Sequence, residues 1–214
     1  MPWDGIKRVI VRKAYLVASK WIVYPSKLMF DRVRGVDFFK KDLEDISEEH
    51  YYEATHLRIA RQLKRLCQEV TSDDSIIDLG CGKGRMLAFF HKYPFDKVDG
   101  VEIDKRMTDI GNQNISKLGL KSRIFNMDAR YFCRWDDYNY FYFYNPFPKD
   151  VIESCATGIV KSAGEKPRKI TVFYANPTCH QVFIDHGFKE EPFKLRLFEK
   201  VWHPYLSGLK VYRD

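Results

Sequence analysis

Ile76–Leu87 reads IIDLGCGKGRML, and it passes from strand to turn to helix within twelve residues. Ile76, Ile77 and Leu79 suit a short buried strand. Glycines at 80, 82 and 84 let the chain turn tightly and bring its backbone against a ligand. The helix that begins here offers free N–H groups in its first turn. A dinucleotide site spaces its glycines G-x-G-x-x-G and seats a pyrophosphate on such donors. Here Arg85 follows Gly84 directly, so the spacing is G-x-G-x-G. Asp78, at the strand end, repels a pyrophosphate but suits a ligand that carries an ammonium and a sulfonium.

Working outward, the same alternation repeats. Glu53–Val70 is expected as a helix, with Leu57, Ala60, Leu63, Leu66, Cys67 and Val70 at helical spacing. Ser75–Leu79 is the first strand, followed by a helix over 83–91, a strand over 97–103 and a helix over 104–118 that Gly119 stops. A third strand covers 122–126. Tyr138–Tyr144, YNYFYFY, is aromatic everywhere but Asn139, so it is expected as a strand buried on both faces rather than a platform for stacking bases. Then come a helix over 149–162, a strand over 169–174, a helix over 178–186 closed by Gly187, and strands over 193–202 and 209–212. This order predicts an α/β, Rossmann-like fold: a mostly parallel seven-stranded sheet, helices on both faces, and an antiparallel C-terminal edge.

Glu102 ends the second strand, eighteen residues beyond Gly84, where a carboxylate accepts hydrogen bonds from both hydroxyls of a ribose. Asp128 follows the third strand, where an acceptor can hold an adenine amino group. Three acids at three successive strand ends are a pattern that a structural glycine turn does not require.

The bulk numbers narrow the remaining classes. The 214 residues fit one ordinary domain with an extension, here divided as a basic N-terminal helical cap over 1–50 and a main domain over 51–214. Apolar residues make up 45%, enough for a full core. The net charge of +7 is reached within residues 1–41, which hold ten basic and three acidic side chains. Polyanion affinity is therefore expected near the N-terminus and not over the main domain. Residues 5–24 read as a helix ended by Pro25. Three roles stay open for it: a lid, an interfacial helix on an anionic membrane, or a polyanion contact. No run reaches the roughly 18–20 apolar residues that span a bilayer. Five cysteines without C-x-x-C spacing and six histidines without H-E-x-x-H give no metal motif, and a cytoplasmic setting with reduced thiols is expected.

On these residues the chain resembles the class I S-adenosylmethionine-dependent methyltransferases. IIDLGCGKG matches their first motif, VDGVEID their acidic second motif, and NMDARYF the segment around the adenine-binding acid. NPFP at 145–148 resembles their (D/N)-P-P-(Y/F) element, with Phe147 in place of the second proline and Pro148 in place of the aromatic. The resemblance implies S-adenosylmethionine as cofactor, held by Asp78, Gly80, Gly82, Gly84, Glu102, Asp128, Ala129 and Asn145. It also implies that Asn145 and the Pro146 carbonyl grip a planar nitrogen. A turn capped by Asn145, with Phe147 as packing, is the competing reading.

A narrower similarity is to bacterial class I methyltransferases of undefined substrate, in the segment DRVRGVD. The start Tyr52-Glu53-Ala54-Thr55 is similar to that of non-SET histone-lysine methyltransferases, which implies Glu53 and Thr55 as cofactor contacts; an N-cap with an acid favoured by the helix dipole explains them equally. Methyl transfer to an unidentified nitrogen or oxygen nucleophile is the expected function. A non-catalytic cofactor-binding or scaffold protein at the membrane surface is the alternative. An oxygen nucleophile needs a general base, for which His180, His186, Asp150 and Tyr144 are available.

Overall fold

The computed structural model describes residues 29, 31–39, 57–144, 147–192 and 209–214. The expected helix over 5–24 and strand over 193–202 lie outside them. Helix α1 (Leu57–Leu66) turns Ile59 and Leu63 inward one turn apart, and a 3-10 turn (Cys67–Glu69) carries the chain towards the sheet. The elements then alternate: β1 (Ser75–Leu79), α2 (Arg85–Phe90), β2 (Lys97–Glu102), α3 (Lys105–Lys117), β3 (Ile124–Asn126), β4 (Tyr140–Tyr144), α4 (Lys149–Glu165), β5 (Thr171–Ala175), α5 (His180–Asp185), β6 (Lys189–Glu191) and β7 (Leu209–Arg213).

The seven strands lie in the order β3-β2-β1-β4-β5-β7-β6. β1 to β5 pair in parallel, while β7 runs antiparallel between β5 and β6. The mostly parallel sheet with an antiparallel C-terminal edge is thus present. Its outermost strand, β6, is one the sequence does not announce. KEE has no apolar period; it becomes a strand because the backbone of β7 is there to pair with it, and Lys210–Glu190 and Arg213–Glu191 ion pairs tie it across.

β4 takes the middle of the sheet, which is why its residues are aromatic rather than alternating. Phe141 and Phe143 face a layer built on α4 and α5, whereas Tyr142 packs with Phe90 of α2 on the opposite face. On the first face, α4 buries Val151, Ile152, Cys155, Ala156 and Ile159, and Gly158 lets the helix settle against Trp135. A Cβ on Gly158 would lie 2.4 Å from the indole nitrogen. The Asp104 carboxylate caps α3 by accepting from the Arg106 and Met107 N–H groups, and Gly119, at φ +65°, follows its end.

Candidate functional site

The strand order reverses between β1 and β4, and open α/β sheets receive their ligands beyond the carboxyl ends of the strands at such a point. The glycine loop leaves β1 there. The Gly80 and Cys81 N–H groups both donate to the Val101 carbonyl (2.8 and 3.0 Å), which anchors the loop to β2. Gly80, Gly82 and Gly84 have φ of +80°, +51° and +78°, values that favour glycine. Gly100 of β2 meets the loop so closely that a Cβ would sit 2.5 Å from the Cys81 sulfur. Burial, then Asp78 and Glu102 nearby, push the Cys81 thiol pKa well up, which disfavours its thiolate.

Two acids converge on the loop. Glu102 accepts the Gly82 N–H through one oxygen (2.8 Å) and the Asp104 N–H through the other (2.9 Å). Burial raises its pKa, and the two amides only partly oppose this. Asp78 is almost fully buried; burial and then the neighbouring Glu102 hold its carboxyl well above the usual range. Among the described residues nothing donates a hydrogen bond to it. An anion in that position is costly unless a cation is brought to it. Beside Glu102, Ile103 exposes 53% of its surface at the strand end, an apolar wall next to a hydrogen-bonding acid.

Asp128 stands at the end of β3, where it caps a 3-10 turn that begins with the buried Ala129. Its carboxylate is already engaged: it accepts from the Arg130 N–H at 2.9 Å and from the guanidinium at 3.0 and 2.6 Å. The Arg130 hydrogen bond is the largest cause of its lowered pKa. Arg130 also reaches Asp150 in the first turn of α4 (3.1 Å), bridging the β3 and β4 sides of the cleft.

Asn145, Pro146, Glu53 and Thr55 lie outside the described residues. Phe147 is described, and its ring lies over Gly80, with its Cζ 2.8 Å from where a Cβ on Gly80 would be. It also meets Phe143 edge-on. The aromatic that departs from the family pattern therefore reaches across the switch point to the glycine loop. Of the candidate bases, Asp150 is paired with Arg130. His186 clamps α5 to α4: its Nδ1–H donates to the Val182 carbonyl (2.8 Å), which leaves Nε2 to accept from the Thr157 hydroxyl (3.1 Å). Tyr144 is partly buried against the α1 face of the sheet. The buried Nδ1 of His180 has no hydrogen-bond partner among the described residues.

Sequence reasoning missed Ile103, whose signal is an apolar residue directly after the strand-end acid. It also missed Lys83, which a glycine loop would be expected to expose. Lys83 is fully buried and pairs with Asp37, a residue that nothing in the sequence links to it.

The site tests its own ligand. A nearly buried carboxylate with no hydrogen-bond donor among the described residues, beside a second acid, calls for positive charge, and three left-handed glycines keep the loop open to a close approach. Two neighbouring acids disfavour a pyrophosphate and favour a cationic ligand. The fold and the acids at its strand ends thus define a Rossmann-like domain with an acid-lined switch point. Residues 76–149, about a third of the chain, match the family described as methyltransferase domain.

Among curated relatives, a sphingolipid C9-methyltransferase of Komagataella phaffii is 29% identical over 127 residues, covering 55% of this chain and 24% of its own length. A geranyl diphosphate 2-C-methyltransferase of Streptomyces ambofaciens is 34% identical over 62 residues, 27% of this chain and 21% of its own. The chain thus spans less than a quarter of the length of each. An rRNA methylase from Streptococcus thermophilus superposes with a TM-score of 0.52 at 14% identity, over 73% of this chain and 95% of that one, and shares the fold. No helix among the described residues is long and apolar enough to cross a membrane. No group of three or more metal-ligating side chains occurs among the described residues.

Proposed function

We propose that this chain transfers a methyl group from S-adenosylmethionine to a nitrogen or oxygen nucleophile of an acceptor that enters beside residues 145–148. The observation that carries this reading is the buried carboxylate of Asp78 at the switch point of the sheet, to which nothing among the described residues donates a hydrogen bond. In this reading Asp78 meets the positive end of the cofactor and the backbone of Gly80, Gly82 and Gly84 lines it. Glu102, held by two amides, offers its remaining lone pairs to the ribose hydroxyls. Ile103 covers one face of the adenine, and Asp128 with Ala129 borders its edge. Asn145 and the Pro146 carbonyl orient the acceptor, and Glu53 and Thr55 close the cofactor from the start of the preceding helix.

The cofactor supplies a methyl group on a positively charged sulfur that is already activated towards attack. The protein therefore has little covalent work to do; it aligns the nucleophile with the methyl carbon and keeps water out. Phe147, lying on Gly80, suits the second task. Calorimetric titration with S-adenosylmethionine tests the binding half: saturable heat is expected, and none at millimolar cofactor sinks the reading. Mass spectrometry of a cell extract incubated with the chain and isotope-labelled cofactor tests the transfer half. Binding without any labelled product would favour the non-catalytic alternative.

Residues 5–24 are proposed to contact an anionic membrane surface. Their support is the charge of the first 41 residues, and each basic side chain near anionic lipid adds about 1 kcal/mol. The Komagataella relative is named for a sphingolipid, an acceptor that such a surface would present. Sedimentation with phosphatidylserine vesicles, with and without residues 1–24, checks this: equal pelleting of both forms would count against it.

A further inference from the structure

Lys83 sits in the middle of the glycine loop with no solvent exposure, and its ammonium pairs with Asp37 Oδ1, 3.2 Å away. Asp37 belongs to a segment that comes long before the glycine loop in the chain. That segment shapes itself first. Residues 31–34 form a helical turn, the Asp31 main-chain carbonyl accepts the Val36 N–H (3.0 Å) beyond its end, and Gly35 turns the chain at φ +66°. Asp31 Oδ2 then accepts the N–H groups of Phe38 and Phe39 (2.9 and 2.7 Å). The result is a compact hook that presents Val36, Asp37, Phe38 and Phe39 on one side.

The hook is fastened to the cofactor loop by three kinds of contact. Val36, Phe38 and Phe39 pack on Ala88 of α2 and Leu118 at the end of α3, and the Arg85 guanidinium lies 4.4 Å over the Phe39 ring. Asn114 of α3, itself buried, behaves like a piece of strand: its Oδ1 accepts the Asp37 N–H (2.8 Å) and its Nδ2 donates to the Asp37 carbonyl (3.0 Å). The same Nδ2 donates to the Lys83 carbonyl (3.0 Å), so one side chain holds hook and loop together. Gly111 allows α3 this close, because a Cβ there would lie 3.1 Å from the Gly82 oxygen.

Resting on the cofactor reading above, we propose that Asp37 is a positioning residue for S-adenosylmethionine. It acts through Lys83 and Asn114 to fix the backbone of Gly82–Gly84, so that residues 31–39 belong to the cofactor-binding unit and not to a separable cap. A buried ammonium has to keep its counter-charge. Displacing Asp37 takes an ion pair from the buried ammonium and two hydrogen bonds from Asn114, and so disturbs the two glycines beside Lys83. Anything that binds or displaces the hook is therefore coupled to the affinity for cofactor, and the coupling is reciprocal.

The test measures cofactor affinity and unfolding temperature on the same full-length chains. Asp37→Asn keeps the shape and removes the charge. Its S-adenosylmethionine Kd is expected to rise about tenfold, within the span by which coupled positions alter affinity, and Asp37→Glu is expected to recover much of this. A merely structural role would lower the unfolding temperature equally with and without cofactor. The positioning role instead shrinks the shift that saturating cofactor produces in the wild type. Should Asp37→Asn fail to fold, the double variant Lys83→Met with Asp37→Leu removes the buried charge and its partner together, and it too must bind weakly. A folded variant of either kind with a Kd within twofold of the wild type overturns the proposal. Failure of the wild-type chain to bind at all would instead overturn the cofactor reading, so the two are told apart.

Discussion

On the two sides of the β1–β4 boundary, charge and packing are settled in different ways. The β1–β3 side carries Asp78, buried, and Glu102, half-buried, both with raised pKa values, and no basic side chain among the described residues lowers either. The β4–β7 side closes on aromatic rings: Phe183 meets Phe143, Tyr174 and Phe188 edge-on and lies stacked with Tyr212 at 5.2 Å. One side packs ring against ring. The other holds an electrostatic penalty that a cationic ligand would relieve. Stability and binding are thus expected to respond to mutation on opposite sides of the boundary.

Phe183→Ala should cut hardest, at about 3–5 kcal/mol of folding stability, while the folded fraction keeps its cofactor affinity; denaturant unfolding followed by calorimetry separates the two. Asp78→Ala should do the reverse and weaken S-adenosylmethionine binding by about 100-fold, roughly 2.7 kcal/mol, with little loss of fold. If Asp78→Ala unfolds the chain and Phe183→Ala weakens binding, the contrast is lost. Gly158→Ala, which forces a methyl into the Trp135 ring, should cost about 1–3 kcal/mol of stability and leave binding unchanged.

The pH response sharpens the comparison further. The native Asp78 carboxyl keeps its proton to higher pH than it does in the unfolded chain, because burial raises its pKa. Its stability contribution is therefore complete below the ordinary carboxylate pKa and is lost as pH rises through the native value. Cofactor-free protein should melt at progressively lower temperature across that rise, and Asp78→Asn should flatten the trend. Cofactor binding should move the other way, strengthening with pH as the carboxylate forms. The smallest effect belongs to Arg130→Ala. It frees Asp128 from an exposed ion pair, and a thermal scan should detect no change in stability.

The alternation of strand and helix was legible because the central parallel strands, Ser75–Leu79, Tyr140–Tyr144 and Thr171–Ala175, are short, largely apolar runs. The acids Asp78 and Glu102 were legible because they fall at strand ends, and strand ends face the cleft. What stayed hidden depends on partners distant in the chain. Lys189–Glu191 is a strand only because β7 lies beside it. Asp37 and Lys83 are 46 residues apart, and neither residue alone signals an ion pair. The contact of Phe147 with Gly80 likewise joins two loops that only the parallel pairing of β1 and β4 brings together.

The antiparallel insertion of β7 has a consequence for how the molecule is made. β5, buried at every position, pairs on one edge with β4 and on the other with β7. Residues 176–208 must be translated between them, which at roughly 5–20 residues per second takes about 2–7 s. Throughout that interval the emerging chain holds an apolar strand with one open edge, the arrangement most prone to pair with a neighbour. The cofactor cleft, built from β1 to β4, is by then already synthesised. A ligand that binds there can steady the nascent half-sheet before its last interior strand arrives.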